Sequence, residues 1–148
     1  IKQIIYDEND IENRDDALKM YDEYKERYTF LKKLNHKNIV KFLGTSLEEA
    51  CKDYYYIVNI FMENVSGFTI KELIQKSGSI EEDRLRNYTA QIMEGIDHLH
   101  HNNIVHHQIK SSNVMVTHNG VIKLISFEGA KQLKAKAFVI KKTKKSKE

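Results

Sequence analysis

A chain of 148 residues, 41% hydrophobic and 30% charged, is long enough for one ordinary domain with a real core and holds no apolar run that would span a membrane. Its single cysteine, Cys51, excludes an internal disulfide, and no signal-peptide pattern opens the chain. The net charge of +3 is unevenly divided. Residues 131 to 148 hold eight lysines against Glu148, about +7, which leaves the body at about −4.

In chain order, the first periodic segment covers residues 12 to 34. Ala17, Tyr21, Tyr24, Tyr28 and Leu31 recur at alternating steps of four and three, which predicts an amphipathic helix, with Asp15 or Asp16 favouring its first turn through the helix dipole. Residues 54 to 62 are aromatic and β-branched and predict a strand. A short helix is expected over 69 to 76. Ser79-Ile-Glu-Glu82 matches a capping box that opens a helix over 81 to 101, with Leu85, Tyr88, Ile92, Ile96 and Leu99 along one stripe. The Asn119-Gly120 pair is the turn expected to close a hairpin between Val114-Met-Val116 and Val121-Ile-Lys-Leu-Ile125. Beyond about 131 the lysine-rich tail is low in complexity and is expected to be mobile.

Residues 104 to 116, Ile-Val-His-His-Gln-Ile-Lys-Ser-Ser-Asn-Val-Met-Val, have the spacing of a protein-kinase catalytic loop. Kinases place His-Arg-Asp, then Lys two residues after the Asp and Asn five after it. Here His106, His107, Gln108, Lys110 and Asn113 fill those positions, and Ser126-Phe127-Glu128 stands where kinases carry Asp-Phe-Gly. Further upstream, Phe61-Met-Glu-Asn-Val65 resembles the hinge with Met62 as gatekeeper, and Leu31 to Val40 resembles the end of helix C. Ile1-Lys-Gln-Ile4 resembles the strand of the ATP-contacting lysine. Residues 1 to about 131 thus resemble a protein kinase, most of all the mitogen-activated protein kinase kinase kinase group.

The resemblance implies an α+β, kinase-like fold in truncated form: a partial N-lobe sheet with helix C over 1–62, a hinge over 63–68 and the first part of a helical C-lobe over 69–131. Residues 132–148 form the tail. Because the resemblance starts inside the N-lobe and the chain opens on Ile, a fragment is expected. The resemblance also puts Lys2, Met62 and Met115 at nucleotide positions, vestigial if used. Leu31, Phe42, His106 and Phe127 would form the apolar column that couples helix C to the catalytic loop.

The chemistry of the family needs acids that are missing. General-base assistance is worth roughly 10²- to 10⁴-fold, and Gln108 has no carboxylate to supply it. Ser126 offers Mg²⁺ only a neutral oxygen, although that hard cation prefers carboxylates. Arg27 falls where the resemblance has helix C hold Lys2 with a glutamate, so two cations would face each other; Glu26 is about 100° out of phase, and Glu23, one turn earlier on the same face, is only an alternative to that opposition. Gln108, Lys110, Asn113, Ser126 and Arg27 are therefore expected to be non-functional in catalysis, with Lys110 and Asn113 kept for the loop's hydrogen bonds.

The expected role is that of a cytoplasmic pseudokinase that binds a protein partner, either an active kinase or a large assembly, as scaffold, allosteric partner or structural subunit. No cofactor is expected, ATP and Mg²⁺ entering only under the alternative of a weakly active serine/threonine kinase. A second alternative is an electrostatic adaptor in which residues 131–148 contact polyanions. His98, His101, His106 and His107 invite a zinc reading, but a closed site asks for four converging ligands, usually with cysteine or carboxylate among them; no metal is expected.

Overall fold

The computed structural model describes residues 2–6, 14–50 and 55–133, so Cys51 and every tail lysine except Lys131 lie outside the described residues. Helix α1, Arg14–Thr29, runs on into a 3-10 turn over Phe30–Lys33. Its stripe is the one the periodicity predicts. Ala17, Tyr28 and Leu31 are buried and Tyr21 and Tyr24 pack against the core, while Asp15 and Asp16 sit in the first turn. The Tyr21 hydroxyl donates to the Thr45 carbonyl at 3.3 Å, and the Tyr28 ring stacks on Phe42 at 5.4 Å, so the helix lies against the first sheet.

That sheet is antiparallel, with strands β1 (Lys2–Tyr6), β2 (Phe42–Ala50) and β3 (Tyr55–Met62) in the order β1-β3-β2. Lys2 faces Ile60 in the register. The buried Asn59 is satisfied within the sheet: its oxygen accepts from Gln3 at 2.9 Å and its amide donates to Ser46 at 3.3 Å.

The second half holds β4 (Gly67–Thr69), α2 (Ile70–Ser77), α3 (Glu82–His101), β5 (Ile104–Val105), β6 (Val114–Thr117), β7 (Ile122–Leu124) and β8 (Lys131–Gln132). Strands β4, β6 and β7 form a second antiparallel sheet, and β5 pairs with β8, which carries the described fold past residue 131 to Leu133. The hairpin turn is where it was expected, with Gly120 at φ 76°, a value that an L-residue adopts only under strain.

Polar contacts join the halves. Val40 donates to the Leu124 carbonyl at 2.9 Å and Leu124 to that of Asn38 at 2.8 Å. Glu63 accepts from the Lys41 amide at 3.0 Å and from the Lys123 ammonium at 2.6 Å, which fixes the crossing segment to β7. Burial raises the Glu63 pKa, but these donors outweigh it and hold the carboxyl below its ordinary value. Beneath the crossing, Leu99, Ile104, Ile122 and Leu124 are almost fully buried.

Two expectations need correction. Ser79 does not cap α3, whose N-cap is Glu81; Ser79 instead gives its carbonyl to the Ser77 hydroxyl at 2.9 Å, closing off the end of α2. The capping box lies at α2, where Thr69 accepts from the Glu72 amide at 3.1 Å and Glu72 accepts from the Thr69 amide at 2.7 Å. Thr69→Ala is expected to cost about 1 kcal/mol in urea unfolding. Leu85 is the second correction. Tyr88 and Leu99 are buried and Ile92 and Ile96 pack on the core, but Leu85 is 49% exposed because α3 meets β7 along later turns, from Gln91 onwards.

Candidate functional site

The catalytic-loop sequence lies between β5 and β6 and folds back on itself. The Asn113 side-chain amide donates to the Gln108 carbonyl at 2.9 Å, the Asn113 backbone amide to the Lys110 carbonyl at 2.8 Å, and Ile125 donates to the Asn113 carbonyl at 3.0 Å. Asn113 is buried and acts as the loop's internal strut. Gln108 itself is exposed and its side chain rests on Gly129, where an added Cβ would stand 3.0 Å from the Gln108 Cγ. Lys110 is also exposed.

Under the loop, His106 is 3% exposed and its ring meets that of Phe127 at 4.5 Å. Its Nε2 faces the Ile125 carbonyl at 3.0 Å and its Nδ1 receives the Gln108 amide at 3.3 Å. A carbonyl can only accept and an amide N–H only donate, so the ring is the neutral tautomer protonated on Nε2. Burial holds its pKa below the ordinary 6.5, against the opposing pull of the Ile125 hydrogen bond and the Glu128 charge. Leu31, Phe42 and Phe127 belong to one buried cluster, so the apolar column is packed.

A lowered histidine pKa has a definite sign. The unfolded chain takes up the proton first, so the stabilisation from neutral His106 is complete above pH 6.5 and is lost as the pH falls through the lower folded value. His36, also lowered by burial and by His98 stacked on it at 4.7 Å, adds to the same fall. Urea midpoints are expected to drop as the pH falls below about 6.5, and more shallowly in a His106→Asn variant, itself less stable throughout.

A contact that the residues alone did not reveal joins the first strand to the segment after β7. The Lys2 ammonium on β1 forms an ion pair with the Glu128 carboxylate, 126 positions away. Glu23, the alternative partner one turn earlier, is exposed on α1, as is Glu26. The Arg27 side chain lies outside what is described, so its opposition to Lys2 stays an expectation. The sequence signal for this pair is an acid, Glu128, standing two residues after the position of the missing acid, Ser126. Ser126 turns the chain here at φ 63°, a left-handed conformation that costs a non-glycine residue on the order of 1 kcal/mol or more.

Of the nucleotide positions, Met62 ends β3 and packs against the core, and Met115 lies in β6 between Thr69 and Lys123. The histidines diverge: His98 stacks on His36, His101 pairs with Asp97 at 3.3 Å and His106 is bound to Ile125. Among the described residues no group of three or more His, Cys, Asp or Glu could hold a metal.

With this geometry in place, comparison with known proteins is decisive for the family. The sequence profile of the protein kinase domain matches residues 1–146. This chain belongs to the protein kinase family. Within it, the chain is 41% identical over 133 residues, 90% of its length, to mitogen-activated protein kinase kinase kinase 19 of Homo sapiens. It is 39% identical over 111 residues, 75% of its length, to mitogen-activated protein kinase kinase kinase 2 of Arabidopsis thaliana, and 37% identical over 106 residues, 72% of its length, to the eIF-2-alpha kinase GCN2 of Homo sapiens. The matches cover 9%, 16% and 6% of those relatives, so this kinase-family chain spans a small part of their length.

Proposed function

We propose that this chain is a catalytically inactive member of its family, a pseudokinase that works in the cytoplasm through its binding surfaces as a scaffold, an allosteric partner of an active kinase or a structural subunit of a larger assembly. One observation carries this reading: the carboxylate that reaches the cleft, Glu128, is tied to Lys2, while the positions for the general base and the metal-binding acid hold Gln108 and Ser126. Phosphoryl transfer asks the protein chiefly for placed charge, and here that charge is neutralised from within. Among the described residues no helix is long and apolar enough to cross a membrane.

A weakly active serine/threonine kinase is the second reading, favoured by Lys110 and Asn113 and by relatives that are named as kinases. Thermal melting with and without Mg·ATP separates the two, because a ligand bound only by the folded state raises the melting temperature by mass action. The expected shift is negligible; a clear Mg²⁺-dependent rise would favour the kinase.

A further inference from the structure

Glu128 is presented to Lys2 by a segment that is fixed on both sides. Phe127 before it is buried against His106, Gly129 after it lies beneath the Gln108 side chain, and Ala130 is buried. Lys2 is likewise set by the register of β1 on β3. The two side chains remain 43% and 29% exposed, so a solute can reach them.

We infer that Glu128 is a resident competitor for phosphate at Lys2, an autoinhibitory carboxylate that makes the cleft reject polyanions. A lysine ammonium is a compact point charge that suits one anion at a time. A triphosphate entering the cleft must displace the Glu128 carboxylate from that charge and then lie beside it, like charge against like. Gln108, Asn113 and Ser126 are neutral and offset none of that repulsion, and Lys123 is already paired with Glu63; the exposed Lys110 of the loop is the same in every variant compared below and drops out of the difference. Ion pairs this exposed are weak, so the effect is a graded loss of affinity and not an absolute block.

The inference rests on the inactive reading of the cleft, and the experiment keeps the two apart. A fluorescent trinitrophenyl-ATP analogue and inorganic tripolyphosphate are titrated, in EDTA, into the full chain and its Glu128→Gln, Glu128→Ala and Lys2→Ala/Glu128→Gln variants. Glu128→Gln keeps the size and hydrogen-bonding capacity of the side chain and removes only its charge. Both Glu128 variants are expected to bind both probes about three- to tenfold more tightly than the native chain, and the gain should vanish in the double variant. Equal affinity of native chain and Glu128→Gln overturns the inference, as does a gain that survives loss of Lys2. Phosphate transfer by the native chain would sink the inactive reading alone, since the affinity comparison is made without Mg²⁺.

Discussion

Phe127→Ala is expected to destabilise the fold by about 3–5 kcal/mol, the cost of emptying a large aromatic site in a packed core. The ring is 3% exposed, lies 4.5 Å from His106 and belongs to the cluster that includes Tyr28, Leu31 and Phe42. Its removal would leave a cavity where α1, the first sheet and the catalytic-loop region meet, and would free the strained turn at Ser126. The urea midpoint should fall accordingly, with a smaller protected core in amide hydrogen exchange. A loss under about 1 kcal/mol would mean that the column is not what holds this region together.

Gly67→Ala is expected to cost about 3 kcal/mol, the upper end for an overpacked site. A Cβ there would stand 2.0 Å from the Val116 carbonyl oxygen and 2.8 Å from the Thr117 Cα. Both atoms are backbone of β6, paired with β4 in the register Gly67 to Thr117, so neither can swing aside as a side chain would. Relief requires β4 to leave β6, and with it the segment that leads from Met62 into α2. Gly120→Ala gives the contrast: an added Cβ meets nothing within 4 Å, and only the φ of 76° opposes it. Its cost should be about 1 kcal/mol. Parallel urea titrations of the two variants distinguish a clash from a conformational penalty.

These two sites differ in how far the sequence reveals them. Phe127 is legible through the kinase resemblance, in which it follows the β6–β7 hairpin, and the α1 stripe from Ala17 to Leu31 because one face of a helix packs on one sheet. The first is a motif position and the second a local period. Gly67 is opaque, since its need for no side chain arises from β6, some fifty positions away. Ser79 and Thr69 show the same limit at short range: both are hydroxyl residues three before a glutamate, and only the chain's course at Gly78 and Glu81 decides which caps a helix. Leu85 fits the α3 stripe but lies before the helix reaches β7.

At the candidate site the spacing from His106 to Asn113 located the loop, and the strut made by Asn113 follows from it. The Lys2–Glu128 pair did not follow, because it joins the first strand to the segment after the last core strand. Frame and chemistry thus separate at one site: Phe127 and His106 are packed, while Lys2 and Glu128 are paired with each other.

Phosphate transfer is the direct measure of that separation. The purified chain is incubated with Mg²⁺ and γ-labelled ATP and a generic basic protein substrate, beside its Lys110→Ala variant. Incorporation at background in both is the predicted result. Label transferred by the native chain and abolished by Lys110→Ala would contradict the account.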